Sequence, residues 1–262
     1  PLAKPHLYNR AMSSFLERLE RAEPIILDGG TGTELARRGL DTGTPVWSAL
    51  ALIEAPHIVE QVHADYLAAG AEVILTNTFR THRRNLQAVS LGPEAARLTA
   101  LAVAIAQKAV AASGREAFVA GSISPLEDSY SPNLTHSHET YRAEHGEMAA
   151  NLAAAGVDLL LAETMNTVAE SAAAAEAAAA SGLPFGVSWV CGDDGRLLSG
   201  ESLAEAVDAV IDGSMEEVDA AAGMIALDAA GNVVTDFNTT GMYRGSLAGD
   251  GEPWVAIFPG GE

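Results

Sequence analysis

Ile25-Ile26-Leu27-Asp28-Gly29-Gly30-Thr31-Gly32-Thr33-Glu34-Leu35 sets a carboxylate and a glycine turn at the end of an apolar run. The apolar residues read as a buried strand, the glycines let backbone approach a ligand closely, and Glu34-Leu35-Ala36-Arg37-Arg38 reads as a helix start. Strand, active loop and helix follow one another. A dinucleotide fingerprint is excluded, because Leu35 stands where a third glycine is needed, and no Walker lysine follows. A turn that needs glycine only for its shape would leave Asp28 without a purpose. Since the ends of parallel strands carry function, Asp28 is expected to face a ligand.

The same grammar recurs along the chain. Ala64-Asp65-Tyr66-Leu67-Ala68-Ala69-Gly70 closes a helix on glycine, and Glu72-Val73-Ile74-Leu75-Thr76-Asn77-Thr78-Phe79 gives a second strand with small polar residues at its end. A third strand is expected at Ala117–Pro125, with Ser122 near its end. A fourth at Val157–Met165 finishes on Glu163, and a fifth covers Pro184–Val190. Alanine-rich segments at about 94–113, 139–155 and 167–181 favour helix and allow close packing. Continuous apolar strands separated by helices imply a parallel sheet covered on its outer face.

Hydrophobic residues make up 48% of the 262, enough for a large core, and no apolar run reaches the roughly 18–20 residues that a membrane span requires. Residues 1–22 mix basic and acidic groups without an apolar stretch, so an N-terminal helix is expected rather than a signal peptide, and the cytoplasm is the expected location. The net charge of −20 opposes nucleic acid and anionic membranes as partners. Cys191 is the one cysteine, which excludes an intrachain disulfide and any metal site built from several thiolates of one chain. Its place after the fifth strand reads as a buried or loop thiol.

Asp28-Gly29-Gly30-Thr31-Gly32-Thr33-Glu34-Leu35, Pro45-Val46-Trp47-Ser48, Gly70-Ala71 with Thr76-Asn77-Thr78-Phe79, Ala120–Pro125, Glu163-Thr164-Met165 and Leu198-Ser199-Gly200-Glu201 resemble, in matching order, the homocysteine S-methyltransferase family. The likeness covers about residues 22–207. It implies a (β/α)8 barrel in which a zinc-bound homocysteine thiolate takes a methyl group from S-methylmethionine, betaine or a methylated folate. Zinc is thus the implied cofactor, and homocysteine and a methyl donor are the implied partners. Carried over by position, Asp28 and Glu163 resemble carboxylates that hold the amino group, and Trp47 resembles an aromatic wall of the pocket. Gly29, Thr76, Asn77, Phe79 and Ser122 complete the expected substrate-binding set, and Thr78 is expected beside them at the mouth of the second strand. Core packing is the plainer reading of Trp47, whereas Glu163 after Leu159-Leu160-Leu161 is costly to bury without a partner.

The family's zinc ligands, a cysteine after the sixth strand and a Gly-Gly-Cys-Cys after the eighth, are absent from this sequence. His136, His138 and His145 offer a weak substitute.

The residues after position 189 are too few for three more βα units at the usual barrel length of roughly 250 residues. Gly223–Asn238 reads as short strands around an Ala-Gly-Asn turn, and Trp254–Phe258 as another, so antiparallel hairpins are expected. Residues about 205–262 also resemble the last segment of the isoaspartyl peptidase and plant-type asparaginase family, without its nucleophile; Thr239 and Thr240 read as hairpin residues.

The fold expected is therefore α/β: an incomplete TIM-barrel-like portion of about five βα units over 1–207, then a β-rich segment over 208–262. The apolar edge of such an open barrel calls for a cover, by the hairpins or by a second copy in a homo-oligomer. Function divides among a homocysteine S-methyltransferase making methionine, a relative that binds an amino acid without transferring a methyl group, and, least favoured, an asparaginase-type hydrolase.

Overall fold

Buried strands of Val, Ile, Leu and Ala alternating with alanine-rich helices leave few arrangements other than a parallel sheet under a helical layer. The computed structural model describes residues 15–19, 21, 24–43 and 46–211, and four short strands between 223 and 256. Its main sheet has four parallel strands in sequence order: β1 (Val73–Leu75), β2 (Phe118–Ile123), β3 (Leu159–Met165) and β4 (Phe185–Trp189). Ile74 lies opposite Val119, Ala120 opposite Leu159, and Leu160 opposite Phe185. The expected first strand is reduced to a single parallel bridge, Leu27 to Val73, framed by backbone bonds from Val73 to Ile26 and from Asp28 to Val73.

The helices fall where composition places them. They are α1 (Thr31–Arg37), α2 (Ala51–Glu54, after a 3-10 turn at Trp47–Leu50), α3 (Pro56–Ala69), α4 (Arg83–Gln87) and α5 (Ala95–Ser113). After these come α6 (His138–Ala155), α7 (Val168–Ala180) and α8 (Leu203–Asp208). Ser137, Thr167 and Ser202 cap α6, α7 and α8 by accepting from the backbone N–H three residues on. Gly70, at φ 113°, ends α3 in the left-handed region that glycine tolerates. Helix α1 starts three residues before the expected Glu34, so Thr31-Gly32-Thr33 is helix, and the loop shrinks to Asp28-Gly29-Gly30. Helix α5 with its preceding turn, Gly92–Ser113, is long and apolar enough to cross a membrane, although the polar residues within it keep any unbroken apolar run short. Its Val103, Ala106 and Ala109 are buried in the core with Ile74, Val119 and Leu160.

The two faces of the sheet carry separate clusters. Ile74, Val119, Ile123, Leu160 and Ala162 pack outward against Leu67, Leu152 and Ala174 of the helices. Val73, Phe118, Ala120 and Leu159 form the inner face, and the N-terminal helical turn at 15–19 fills the space beneath them. Phe15 meets Phe118 edge to face at 5.1 Å. The rest of the expected N-terminal helix, residues 1–14, lies outside the described residues.

Past α8 the parallel pattern stops. Strands β5 (Gly223–Leu227) and β6 (Val233–Phe237) pair antiparallel, and β7 (Arg244–Ser246) pairs antiparallel with β8 (Trp254–Ala256), in two sheets separate from the first. The expected hairpins are present, and β7 is a strand the sequence reading did not separate out. The Ala-Gly-Asn turn, Thr239 and Thr240 lie outside the described residues. At the opposite edge of the parallel sheet, Ile26 and Leu27 are 53% and 50% exposed.

If Phe15 closes the base of the inner face, Phe15→Ala is expected to lower stability by about 3 kcal/mol. The neighbouring exposed Leu16→Ala should stay within about 0.5 kcal/mol, and urea unfolding of both variants checks the pair.

Candidate active site

The C-terminal ends of the parallel strands open on a cleft of about 660 Å³, within the range of small-molecule sites. Asp28, Gly29, Trp47 and Thr76 line it. So do Asn77, Phe79, Ser122 and Glu163, which brings together every substrate-binding residue expected from sequence. Thr78, from the same strand end, points elsewhere: fully buried, it donates to the Ser122 carbonyl at 2.7 Å and bonds the Thr76 hydroxyl at 2.8 Å.

Side-chain oxygens fix the geometry of this rim. The Leu75 N–H donates to the Asp28 carboxylate at 2.9 Å, and the Ser122 N–H donates to the Thr76 hydroxyl at 3.2 Å. In both cases a side chain takes the place of the next ladder carbonyl, so the backbone is released to turn while the side chain stays on the rim. Ser122 then donates its hydroxyl to Glu163 at 2.5 Å. Asn77 reaches across to the Ser48 carbonyl at 2.9 Å and ties the β1 loop to the segment that carries Trp47.

The two carboxylates are poorly solvated, and each is held above the ordinary range. Burial pushes Asp28 up to about 7, its bond from Leu75 pulls it down, and the nearby Glu163 charge raises it again. Glu163 is raised by burial and lowered in part by the Ser122 hydroxyl. Neither has a basic side chain as ion-pair partner among the described residues. Two acidic groups so placed favour a cation between them.

Backbone strain gathers at the same rim. Register between β3 and β4 shifts after Ala162–Val187, so that Met165 lies opposite Trp189 and β3 carries one residue more than its partner. The bulge puts Thr164 at φ 57°, costly for a β-branched residue, and turns both Glu163 and Thr164 toward the cleft. Trp47 is also left-handed, at φ 43°. Its ring lies over Gly32, where an added Cβ would stand 1.9 Å from a ring carbon, and it meets Phe79 edge to face at 5.5 Å. Gly32 therefore serves the aromatic wall rather than the turn.

Sequence reading missed Arg80 and the Asp128-Ser129-Tyr130 segment, which also line the cleft. The signal available was loop length: the connection from Ile123 to His138 is long for a βα turn and rich in polar residues. Several bonds hold it. Ser124 donates to the Phe79 carbonyl, Leu126 N–H to buried Glu170 at 2.7 Å, and Asn166 to the Ser129 carbonyl at 2.9 Å.

Among the described residues zinc does not find the ligands that the resemblance implies. Cys191 is exposed, sits at an isolated bridge with Leu197, and is not among the cleft residues. His136, His138 and His145 each turn to a different carboxylate: Glu127, Glu176 and Glu170. Among the described residues no three His, Cys, Asp or Glu side chains gather as a metal-binding group.

The sequence profile of the homocysteine S-methyltransferase family matches residues 25–226, and the chain belongs to that family. It is similar to homocysteine S-methyltransferase of Escherichia coli K12, 32% identical over 176 residues, 60% of this chain and 55% of that one. It is also similar to homocysteine S-methyltransferase YbgG of Bacillus subtilis, 34% identical over 57% of this chain and 52% of that one. The chain thus spans little more than half the length of these two relatives. The crystal structure of the Escherichia coli homocysteine methyltransferase MmuM in its metallated form superposes with a TM-score of 0.69 at 31% identity, covering 76% of this chain and 74% of that one. The fold is accordingly TIM-barrel-like and incomplete. The resemblance of residues 205–262 to the asparaginase family receives no support from these comparisons.

Asp28 gives the folded chain a proton that the unfolded chain has already released between the ordinary carboxylate range and about pH 7. Its contribution to stability therefore falls as pH rises through that window. Asp28→Asn keeps an acceptor for Leu75 and removes the charge. It is expected to melt about 2–4 °C above the parent at pH 8, with a smaller gap at pH 5 that closes only as the pH reaches the ordinary carboxylate range, as thermal unfolding across this range would show.

Proposed function

We propose that the cleft binds homocysteine by its ammonium group and that the protein is a homocysteine S-methyltransferase, passing a methyl group to the thiol to give methionine. The observation that carries the reading is the pair Asp28 and Glu163, two desolvated carboxylates without a basic partner among the described residues, on a rim walled by Trp47 and Phe79. An ammonium ion supplies the missing positive charge, and the indole face suits a cationic methyl donor. In the transfer the sulfur forms a bond to the methyl carbon as the donor's own bond to that carbon breaks, and the thiol must give up its proton for sulfur to attack well. What this chain's residues supply is capture and orientation: carboxylates for the ammonium, Ser122 to hold Glu163, and the aromatic wall to exclude water. A cytoplasmic location and a division of the chain at 207/208 belong to the same proposal.

One observation favours a second reading, an amino-acid-binding relative without transfer activity. The sequence holds a single cysteine, and Cys191 lies outside the cleft. The two readings share the pocket and differ in turnover.

Calorimetry with homocysteine separates them when run beside metal analysis and a methyl-transfer assay. Asp28→Ala and Glu163→Ala are each expected to weaken binding by roughly 10- to 100-fold, as for a hydrogen bond to a charged group. About one zinc per chain together with transfer supports the enzyme. Metal-free protein that binds without transfer supports the second reading, and absence of binding defeats both.

The ammonium needs Asp28 ionised, so affinity should rise by up to about tenfold per pH unit below 7 and level off above it. Binding at pH 6 should release a proton, and the pH dependence should flatten in Asp28→Asn. Affinity that is level from pH 5.5 to 8 in the parent would remove Asp28 from the ammonium site.

A further inference from the structure

The acidic rim has a counterpart farther out along the loop that follows β1. Arg80 is half-buried, lines the cleft and lies against Phe79, with its guanidinium carbon 5.3 Å from the ring centroid. It donates one hydrogen bond, to the Glu127 carbonyl at 3.0 Å, and among the described residues it forms no ion pair. That sets it apart from Arg18, Arg38, Arg83, Arg84 and Arg97, each of which holds a carboxylate.

The acids nearest Arg80 are committed elsewhere. Asp128 accepts from the Tyr130 N–H and the Ser131 hydroxyl, both at 3.0 Å, closing its own turn. Glu127 accepts from Arg84 at 3.3 Å and bonds His136 at 2.8 Å. A guanidinium fork held over a ring, with most of its donors unspent, can meet a carboxylate by its planar, two-point geometry. Asp128 and Glu127 are the acids whose charges act on Arg80, and Glu163 is the one that acts on Asp28.

We propose that Arg80 is a specificity-determining residue that holds a ligand carboxylate in the cleft whose rim carries Asp28 and Glu163. The inference rests on the pocket reading above, and it makes the cleft a receptor for ligands that carry both a carboxylate and a cationic group. The carboxylate belongs either to the amino-acid thiol itself or to the methyl donor that shares the cleft, and the two arms of the test tell these apart.

The first arm compares calorimetric dissociation constants at pH 8 for homocysteine and 3-aminopropane-1-thiol, its counterpart without the carboxylate. The second compares S-methylmethionine with (3-aminopropyl)dimethylsulfonium. The parent is expected to favour the acid over its decarboxylated counterpart by roughly 10- to 100-fold in at least one arm. Arg80→Met should bring that ratio close to one while leaving the decarboxylated ligand bound as before, and Arg80→Lys, which keeps the charge without the fork, should retain part of it. Discrimination in the first arm alone assigns the thiol substrate, and in the second alone the donor. A parent that does not discriminate in either arm, or a ratio that survives in Arg80→Met, overturns the proposal while leaving the ammonium site standing. If the parent binds none of the four ligands, the pocket reading fails and the proposal falls with it.

Discussion

The Leu75 N–H donates to the Asp28 carboxylate rather than to a backbone carbonyl of the first strand. The rest of the cleft is arranged around that substitution. Thr76 repeats it toward Ser122, and Ser122 passes its hydroxyl to Glu163, so one run of bonds crosses the mouth of the sheet from the first strand to β3. The bonds that end the strands are the bonds that aim the carboxylates. Site and scaffold cannot be separated at these positions, because Asp28 and Thr76 satisfy backbone N–H groups while they line the cleft, and Ser122 and Glu163 continue the run beside them.

Two consequences follow for the energetics of the rim. Asp28 and Glu163 are withdrawn from water beside each other, and Thr164 is held in a left-handed conformation by the bulge that turns Glu163 inward. Each feature costs free energy in the folded chain. The chain as a whole is strongly acidic, and many of its arginines are engaged by carboxylates outside the cleft, so among the described residues Asp28 and Glu163 have no ion-pair partner. That is the pattern of a binding site rather than of a structural ion pair.

The open sheet sets the other constraint. Its inner face is filled at the base by Phe15 and lined at the mouth by polar groups, while Ile26 and Leu27 remain exposed at the edge where a closed barrel would continue. The antiparallel hairpins of β5 to β8 form their own sheets and do not extend the parallel one. The parallel units match the family's fold, and the change of pattern after β4 accounts for the incomplete barrel.

By itself the sequence determined the order of strands and helices, because apolar runs of four to seven residues between alanine-rich stretches fit only a covered parallel sheet. It also placed the eight cleft residues named from it, through polar groups at strand ends and the motifs shared with the family, although Thr78 at one such end is buried away from the cleft. It could not determine that the first strand would shrink to the Leu27 bridge or that α1 would start at Thr31, as both depend on where Asp28 finds its donor. The bulge at Thr164, the seating of Trp47 on Gly32 and the arrival of Arg80 and Asp128 at the cleft were likewise decided in three dimensions. They arise from contacts between segments far apart in the chain, which no local pattern of residues encodes. Local periodicity fixes which residues a strand presents, whereas packing fixes which of them meet.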